Sequence, residues 1–381
     1  MDFAWNEDQL AIREAATEFG ARMLVEGVEE RDRTGSFSQQ AWTACADFGL
    51  TGLLVPERWG GGEQDLLTAV ATFEGVGRGG LDNGTVFTVA AHAASCAGPI
   101  LDYGSEDQKD AWLPPLADGS TIGAAAMTEP GSGSNALGLN TSAEAMDDGW
   151  VLNGSKTFVS NAPMADLFLV YARTGPGGLA GLSAFLVPAD TPGLEVGKPI
   201  EKMGLRTAPT AEVFLDDCRV PASSVLGSVG SGAMIFNQTM DVERLLVMAP
   251  AIGVMERLLA RSVAHARERD TGKGPIGKNQ AVSHPIADME LDLEQARWLL
   301  YRAAWHAQNH GTATRESALA KLSVSEAYIR CCRTALQVFG GYGYTVEYGI
   351  ERELRDALAT TVYVGTSEIQ RNLIAGLRGL K

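Results

Sequence analysis

The period of the hydrophobic pattern changes twice along this chain, and these two changes restrict the folds that it can adopt. Apolar residues recur at helical spacing from residue 1 to about 120 and again from about 226 to 381. Between about 121 and 225, short apolar runs alternate with turn residues, and Asp148-Gly149 and Asn153-Gly154 are typical of hairpin turns. The sequence therefore predicts an α+β fold with a helical, a β and a second helical region.

The middle region predicts an antiparallel sheet or barrel. Its apolar runs follow one another without long helices between them, which disfavours parallel βαβ units. No G-x-G-x-x-G segment stands between a strand and a helix, so a Rossmann-type nucleotide fold is a poor interpretation. Strands are expected at residues 150–152, 156–159, 167–171, 182–187 and 211–215.

Capping residues and breakers mark the expected helices. Asn6 or Asp8 is a candidate N-cap for the first helix, and Gly311 is a candidate C-cap glycine between two long helices. Pro250 is a candidate break in the first long helix of the second helical region. Helices are expected at residues 39–48, 233–269, 280–309, 314–339 and 366–377.

Charge, cysteine content and the N-terminal residues indicate the cell compartment of such a chain and the classes of partner that it can bind. Its 31 basic and 47 acidic residues give a formal net charge of −16, which repels nucleic-acid phosphates and anionic lipid. The five cysteines form no C-x-x-C pair, which is typical of an intracellular protein with reduced thiols. The N-terminus lacks the pattern of a signal peptide, and no run approaches the length of a membrane span, about 18 apolar residues. We therefore expect a cytoplasmic protein with neither nucleic acid nor a membrane as its partner.

Four short segments carry residues suited to a flat, phosphate-bearing ligand. Residues 127–135, Met-Thr-Glu-Pro-Gly-Ser-Gly-Ser-Asn, form a loop that can bring backbone N–H groups to a phosphate or can be an ordinary polar loop. Residues 153–161 predict a strand that ends in an aromatic and a hydroxyl, and residues 337–344 predict a helix that ends in glycines. At residues 365–370, Gly-Thr-Ser opens the last helix, whose N-terminal dipole suits an electron-rich group.

In this order and spacing, the four segments resemble the signatures of the acyl-CoA dehydrogenase family from end to end. They match its M-T-E-P-G-x-G-S-D, N-G-x-K-x-(W/F)-I-(T/S)-N, Q-x-F-G-G-x-G-(Y/F) and G-T-(S/N)-x-I-Q patterns, with Asn135 in place of the usual Asp. The resemblance implies an N-terminal helical domain (1–120), a middle β-barrel (121–225) and a C-terminal four-helix bundle (226–381). It also implies FAD bound between barrel and bundle, and a homotetramer or at least a dimer, in which one subunit's bundle completes its neighbour's FAD site.

The resemblance also assigns cofactor roles by matching position. The loop that begins at Met127 is expected to contact the flavin and its ribityl phosphate, and Ser160 to place its hydroxyl near flavin N5. The end of the helical bundle is expected to serve the ADP part, partly across the dimer. The expected cofactor-binding residues are Met127, Thr128, Ser134, Phe158, Val159, Ser160, Arg269, Gln280, Gln337, Gly340, Gly341, Thr366 and Glu368. Residues 269–273, Arg-Asp-Thr-Gly-Lys, depart from the family because they lack the phenylalanine that normally touches the neighbour's FAD.

Dehydrogenation of a thioester needs a base for the Cα proton, an acceptor for the Cβ hydride and donors at the thioester oxygen. In the family the hydride goes to flavin N5, and many members carry the base as a Glu directly before the Gly-Thr of the last signature. This chain has Val364 there. The isovaleryl and long-chain branches place the Glu in an Asp-x-Glu-Arg stretch instead, which stands here at residues 241–244, so we expect Glu243 to be the base. The alternative is a surface carboxylate paired with Arg244 or Arg257.

The substrate residues implied by the resemblance surround this base: Ser134, Asp241, Arg244, Val364 and Gly365. The N–H of Val364 can donate to the thioester oxygen, while its side chain narrows the pocket and favours a short, branched or cyclic acyl group. Residues 160–166 and 182–185 are similar to the prolyl-carrier-protein dehydrogenases, so the thioester can be on CoA or on a carrier protein. The implied electron acceptor is an electron-transfer flavoprotein.

Two other functions remain open on the same fold, a flavin oxidase or monooxygenase and a catalytically silent FAD-binding member. His306 and His310 have helical spacing for a metal pair, but no Glu or Cys completes a site, so we expect no metal. His92 is expected to be structural or to line the pocket wall. Residues 351–355 are expected to form a solvated or interface face.

Overall fold

The computed structural model describes residues 5–176 and 178–380 of the chain. The first helix (Glu7–Met23) is capped by Asn6 rather than Asp8, through reciprocal hydrogen bonds with Gln9. A π-helical turn, Ala93–Ala97, continues the helix Asn83–His92 into the helix Gly98–Tyr103 without a break. The helices are α1 (Glu7–Met23), α2 (Val28–Thr34), α3 (Gln39–Asp47), α4 (Leu66–Gly79), α5 (Asn83–His92), α6 (Gly98–Tyr103) and α7 (Glu106–Ala117).

The described residues of the middle region form one mixed sheet of eight strands, mostly antiparallel as predicted. The strands are β1 (Gly123–Ala126), β2 (Ser142–Ala145), β3 (Gly149–Ser160), β4 (Leu167–Arg173), β5 (Leu182–Pro188), β6 (Leu194–Val196), β7 (Thr210–Pro221) and β8 (Val225–Leu226). Their order is β6-β7-β3-β2-β4-β5-β8, and β1 pairs in parallel with β4.

Of the two predicted hairpin turns, one is confirmed and one is wrong. Asp148-Gly149 lies between the antiparallel strands β2 and β3, as predicted. Asn153-Gly154 instead lies inside the continuous strand β3, where the register against β7 shifts. The side chain of Asn153 bonds Asp217 of β7, so the two residues form an irregularity in the ladder rather than reversing the chain.

The C-terminal helices follow the predicted boundaries closely, and Gly311 ends the helix Gln280–His310 with a φ of +73°. The predicted break at Pro250 is wrong, because the helix Gly232–Glu268, α8, continues through it. Pro250 has no N–H to donate within the helix. The backbone around it packs closely against α4, because Gly77 has no side chain to clash with the carbonyl of Pro250. The helices are α8 (Gly232–Glu268), α9 (Gln280–His310), α10 (Thr314–Phe339), α11 (Gly341–Tyr344), α12 (Ile350–Ala359) and α13 (Ser367–Gly376).

Both helical regions share one hydrophobic core, while the sheet and the helices beside it have cores of their own. A charged cluster lies where α1, α4, α8 and α9 meet. Glu74 is fully buried there and accepts from Arg13 at 2.8 Å and from Arg297 at 3.2 Å, and the Tyr301 hydroxyl also bonds it. Glu256 binds the same Arg13 at 2.7 Å. Because the buried carboxylate needs all of these donors, the cluster links the two helical regions.

Two expectations from the sequence, that no run is long and apolar enough to span a membrane and that residues 351–355 are solvated or at an interface, are corrected by the structure. The run Asn83–Tyr103 is long and apolar enough to cross a membrane by length and composition, but 83% of its most apolar window lies inside the protein, as in a core helix. Within residues 351–355, Arg352 and Glu353 are buried rather than solvated. Glu353 pairs with Arg257 at 2.7 Å, so this stretch of α12 is partly core.

Candidate active site

Glu243 lies in the first third of α8 and is half-buried, with its carboxyl surrounded by protein atoms. Burial raises the pKa of Glu243 to about 7, against the opposing effects of the Ser95 hydroxyl and the Arg244 guanidinium. Tyr171 of β4 is also close, because the charge of Glu243 helps to raise the pKa of its buried phenol. A carboxyl that titrates near neutral pH can take up and release a proton under working conditions.

Asp241 and Arg244 are buried beside Glu243 and bind each other at 3.3 Å. Asp241 also accepts hydrogen bonds from the N–H of Ala313 and the hydroxyl of Thr314, at 3.1 and 2.9 Å, and so satisfies the start of α10. Ser317 joins the same network from α10. These contacts fix the part of α8 that carries Glu243 to α10.

The turn between α12 and α13 faces this network. Val364 has a φ of +47°, a conformation that a β-branched residue rarely adopts, and Gly365 follows with a φ of +88°. The carbonyl of Val364 accepts from Arg244 Nε at 3.4 Å and from Gln370 Nε2 at 3.2 Å. Within the described part of the chain, the N–H of Val364 has no hydrogen-bond partner, and it is therefore free to bind a ligand.

The end of β3 approaches the same region from the sheet. Phe158 has a φ of +55° and is 65% exposed, although it is a large aromatic residue. Val159 is buried beneath it, and Ser160 ends the strand half-buried. Asn161 bonds the carbonyl of Thr88 on α5 at 3.1 Å. The preceding residue of α5, Phe87, packs on Tyr363 at 4.9 Å between ring centroids, so α5 joins the end of β3 to the turn at Val364.

A buried ion pair joins the loop at residues 127–135 to β3. Lys156 Nζ lies 2.8 Å from Glu129 and 3.2 Å from the carbonyl of Met127. Burial raises the pKa of Glu129, but hydrogen bonds from Lys156, Thr141 and Asn140 outweigh it and hold the pKa at about 2. The loop therefore keeps a fixed position, with Thr128 half-buried and Ser134 exposed.

The remaining predicted cofactor residues lie in two places. Thr366 caps α13 and accepts from the N–H of Ile369, and Glu368 follows it exposed in the first turn. Arg269 and Gln280 are exposed at the end of α8 and the start of α9, and Arg269 lies over the ring of Tyr342, 5.8 Å from its centroid. At about 1.5 Å per residue, Arg269 is roughly 39 Å along α8 from Glu243, so these residues do not belong to the same pocket. Gln337, Gly340 and Gly341 are likewise exposed, at the end of α10.

The residues near Glu243 fit a flavin with a phosphate-bearing tail. An exposed aromatic at Phe158 suits a flat ring system, and the start of α13 suits an electron-rich group. A Cβ added at Gly131 or Gly133 would meet no atom within 4 Å, so the backbone of this loop can be approached closely, and the same holds at Gly340 and Gly341 in the distant group.

The sequence did not single out Ser95, which faces Glu243 from the π-helical turn. No residue pattern in the sequence marks such a turn, and only the structure reveals it. His92, the residue directly before the π turn, is structural as predicted. Its Nε2 donates to the carbonyl of Leu116 and its Nδ1 accepts from the N–H of Gly123, both at 2.9 Å, and burial lowers its pKa to about 4.

Comparisons with known proteins agree with this geometry. Family models for the N-terminal, middle and C-terminal domains of acyl-CoA dehydrogenase match residues 6–120, 124–218 and 230–376. The L-prolyl-[peptidyl-carrier protein] dehydrogenase of Pseudomonas fluorescens is 40% identical over 98% of this chain and 99% of its own length.

Two solved structures share the fold over their whole length. The prolyl acyl carrier protein oxidase AnaB is 42% identical with a TM-score of 0.97, covering 99% of this chain and 100% of its own. PigA, solved with FAD and proline, is 35% identical with a TM-score of 0.97 over all of both chains. These findings confirm the predicted fold class and the class of FAD-dependent thioester dehydrogenases. The chain belongs to the acyl-CoA dehydrogenase family.

Proposed function

We propose that this chain dehydrogenates the α and β carbons of an acyl or aminoacyl group that a carrier protein holds as a thioester, with Glu243 as the base. The observation that carries the proposal is the carboxyl of Glu243, which is desolvated enough to raise its pKa to about 7. A base is most effective when its pKa is near the working pH. Val364 occupies the position where many relatives have their carboxylate, so Glu243 takes that role.

Each neighbouring residue has a part in the reaction. FAD, when bound, supplies the acceptor for the hydride at N5. Glu243 takes the Cα proton at its carboxylate, and the free N–H of Val364 donates to the thioester oxygen, where negative charge develops. Arg244 and Gln370 hold that N–H in place through the carbonyl of the same residue. Asp241 supports Arg244, and Gly365 and Ser134 border the substrate.

The same proposal places the cofactor. Phe158, Val159 and Ser160 border the isoalloxazine ring, with Thr366 and Glu368 on the side of α13. Met127, Thr128 and Ser134 border the ribityl phosphate, on a loop that the Glu129–Lys156 pair fixes. The second group, Arg269, Gln280, Gln337, Gly340 and Gly341, serves the ADP part of the FAD in a neighbouring subunit. Its distance of roughly 39 Å from Glu243 along α8 supports this, because one FAD cannot reach both ends.

Two features support a carrier-bound, compact acyl group. The Pseudomonas fluorescens relative and AnaB both carry names that specify a prolyl group on a carrier protein. Val364 adds a branched side chain at the turn, which favours a compact acyl group over a long straight one in this proposal. Free CoA thioesters are the competing source of the same acyl chemistry.

An anaerobic titration of the purified flavoprotein tests the proposal. Prolyl-carrier protein, isovaleryl-CoA, butyryl-CoA and octanoyl-CoA are added separately while flavin absorbance is followed. We expect bleaching with the carrier-bound prolyl group, loss of bleaching in Glu243→Gln and unchanged bleaching in Glu268→Gln, an exposed carboxylate on the same helix. Bleaching by a CoA thioester alone would reject the carrier-bound substrate, and full bleaching in Glu243→Gln would reject the base.

A flavin oxidase is the second candidate, because AnaB is named an oxidase. Stopped-flow mixing of the reduced protein with oxygen separates the two. Reoxidation faster than turnover identifies an oxidase, whereas slow reoxidation that an electron-transfer flavoprotein accelerates identifies a dehydrogenase.

Three further assignments belong to the proposal. The chain divides into domains at residues 120/121 and 225/226, assembles as a homotetramer and works in the cytoplasm. The cofactor residues at the far end of α8 support the assembly, and the acidic net charge of −16 with five unpaired cysteines supports the location. Light scattering of the holoprotein measures the subunit number.

A further inference from the structure

The π-helical turn Ala93–Ala97 places one polar side chain beside the base. Ser95 is buried, and among the residues that the structure describes its hydroxyl has no hydrogen-bond partner. A serine in a regular helix commonly donates to the carbonyl one turn earlier. The hydroxyl of Ser95 makes no such bond. The π turn that carries it is a kind of helix irregularity that often occurs at functional sites.

The hydroxyl lies next to the carboxyl of Glu243. The π turn packs against α8, and Ser95 is the strongest of the groups that oppose the effect of burial on that carboxyl. Among the described residues, Ser95 Oγ nevertheless has no hydrogen-bond partner of normal geometry.

The other charged and titratable groups around Glu243 are already engaged. Arg244, on the same helix, binds Asp241 and the carbonyl of Val364. Tyr171 of β4 is buried and interacts with Thr239, and Cys96 of the π turn lies near that phenol. Among these described neighbours, Ser95 is the one whose buried hydroxyl has no hydrogen-bond partner.

We propose that Ser95 is a positioning residue for the base, and that its hydroxyl donates a hydrogen bond to Glu243 when this carboxylate is ionised and aimed at the substrate. This inference rests on the proposed role of Glu243. In the structure the hydroxyl of Ser95 has no partner of normal geometry. A hydrogen bond to the anion is stronger than one to the neutral acid, so it favours the reactive state of the base and restricts its direction.

The direction of the pH effect follows from this bond. A donor to the ionised form lowers the pKa of a carboxyl, so its removal raises that pKa. In Ser95→Ala the base is protonated over a wider range, and turnover falls at neutral pH but recovers at higher pH. Because the lost hydroxyl has no partner in the resting protein, its removal does not lower the melting temperature.

Infrared spectroscopy gives a test that does not depend on turnover. The carboxyl band of Glu243 is isolated by subtracting the spectrum of Glu243→Gln and is titrated from pH 5 to 9 in the holoprotein. We expect the midpoint to move up by about one pH unit in Ser95→Ala and to return in Ser95→Thr, which keeps a hydroxyl. The matched control is Ser262→Ala, another buried and unpartnered serine hydroxyl, farther along the helix of Glu243.

Turnover against pH is then measured on the same proteins with whichever thioester bleaches the flavin. We expect the acidic limb of kcat to shift upward by the same amount in Ser95→Ala alone. An unchanged midpoint in Ser95→Ala, or an equal shift in Ser262→Ala, overturns the positioning role while leaving Glu243 as the base. Activity that survives in Glu243→Gln overturns the proposed function itself, so the two failures are distinct.

Discussion

Arg244 donates a hydrogen bond from Nε to the main-chain carbonyl of Val364 across 3.4 Å. The contact ties the helix that carries the carboxylate of Glu243 to the turn that presents a free N–H. In the proposed function, these two groups act on one thioester, at Cα and at the carbonyl oxygen, and the contact between Arg244 and Val364 holds them together. A residue that sets their separation controls the rate without touching the acyl group.

Replacement of Arg244 by lysine tests this coupling. A single ammonium cannot reach Asp241, Ser317 and the carbonyl of Val364 together, so the turn is released although the charge remains. We expect kcat to fall by about 10²-fold, as for other small displacements of reacting groups. Steady-state kinetics measure it, with Arg330→Lys as the control because that arginine forms an exposed pair with Asp292. Equal losses in both variants would argue against a specific coupling.

The base can be moved to the turn. Glu243→Gln is expected to lower kcat by about 10²–10⁴-fold, the usual contribution of a positioned base. Adding Val364→Glu to that variant returns a carboxylate to the position that many relatives use, and we expect a partial recovery of about tenfold or more. Single-turnover bleaching of the flavin measures both effects. No recovery in a double variant that folds and retains FAD would show that the turn cannot orient a base in this chain.

The base is expected to cost stability at high pH. Folding raises the pKa of Glu243 from 4.5 to about 7, so the folded state holds a proton that the unfolded chain releases between these values. The contribution of Glu243 is therefore most favourable below pH 4.5 and is lost as the pH rises through 7. Glu243→Gln should be more stable than the original protein at pH 8, by about 1–3 kcal/mol, and not at pH 5.

Urea unfolding of both proteins at the two pH values measures this difference. The comparison removes the contribution of Asp356, a second buried carboxyl whose pKa is raised to about 7, because both proteins contain it. A stability difference that does not change with pH would mean that Glu243 is ionised in the folded protein throughout this range.

The ion pair between Lys156 and Glu129 joins β3 to the loop at residues 127–135. Removal of one charge of this pair is expected to cost more stability than removal of both. Lys156→Met leaves Glu129 buried without its cation, and we expect the free energy of unfolding to fall by about 3–5 kcal/mol, with weaker retention of FAD. The double variant Lys156→Met/Glu129→Leu removes both charges and should recover much of that loss. Arg33→Met breaks an exposed pair with Glu30 and should change the free energy by less than about 1 kcal/mol. Denaturant melts and flavin release report the two quantities, and equal costs at both pairs would contradict the prediction.

Much of the fold was predictable because hydrophobic period and capping residues act locally. The boundaries of α10 at Thr314 and Phe339 and the cap at Gly311 follow from such local signals. The predictions of a helix break at Pro250 and of a turn at Asn153-Gly154 were wrong because tertiary contacts outweigh the local preferences of these residues. A close approach between α4 and α8 accommodates the proline, and pairing with β7 keeps β3 extended.

The candidate site was predictable as far as family signatures reach. Glu243 could be found because an Asp-x-Glu-Arg stretch stands where a branch of the family has its base. Ser95 could not, since its importance comes from a π turn that no residue pattern announces. The burial of Glu353 was equally hidden, because its partner Arg257 lies 96 positions away in the chain.

The charged cluster around Glu74 has a consequence for synthesis of the protein. Arg13 and Glu74 leave the ribosome early, but Arg297 and Tyr301 are made more than two hundred residues later. Until then the carboxylate of Glu74 lacks two of its hydrogen-bond donors, and the apolar face that the N-terminal helices pack against the C-terminal helices is exposed. The N-terminal third of the chain therefore stays incompletely packed until residues 297 and 301 are made. A pause in translation before that point would prolong the exposure of its apolar surface and its need for chaperones.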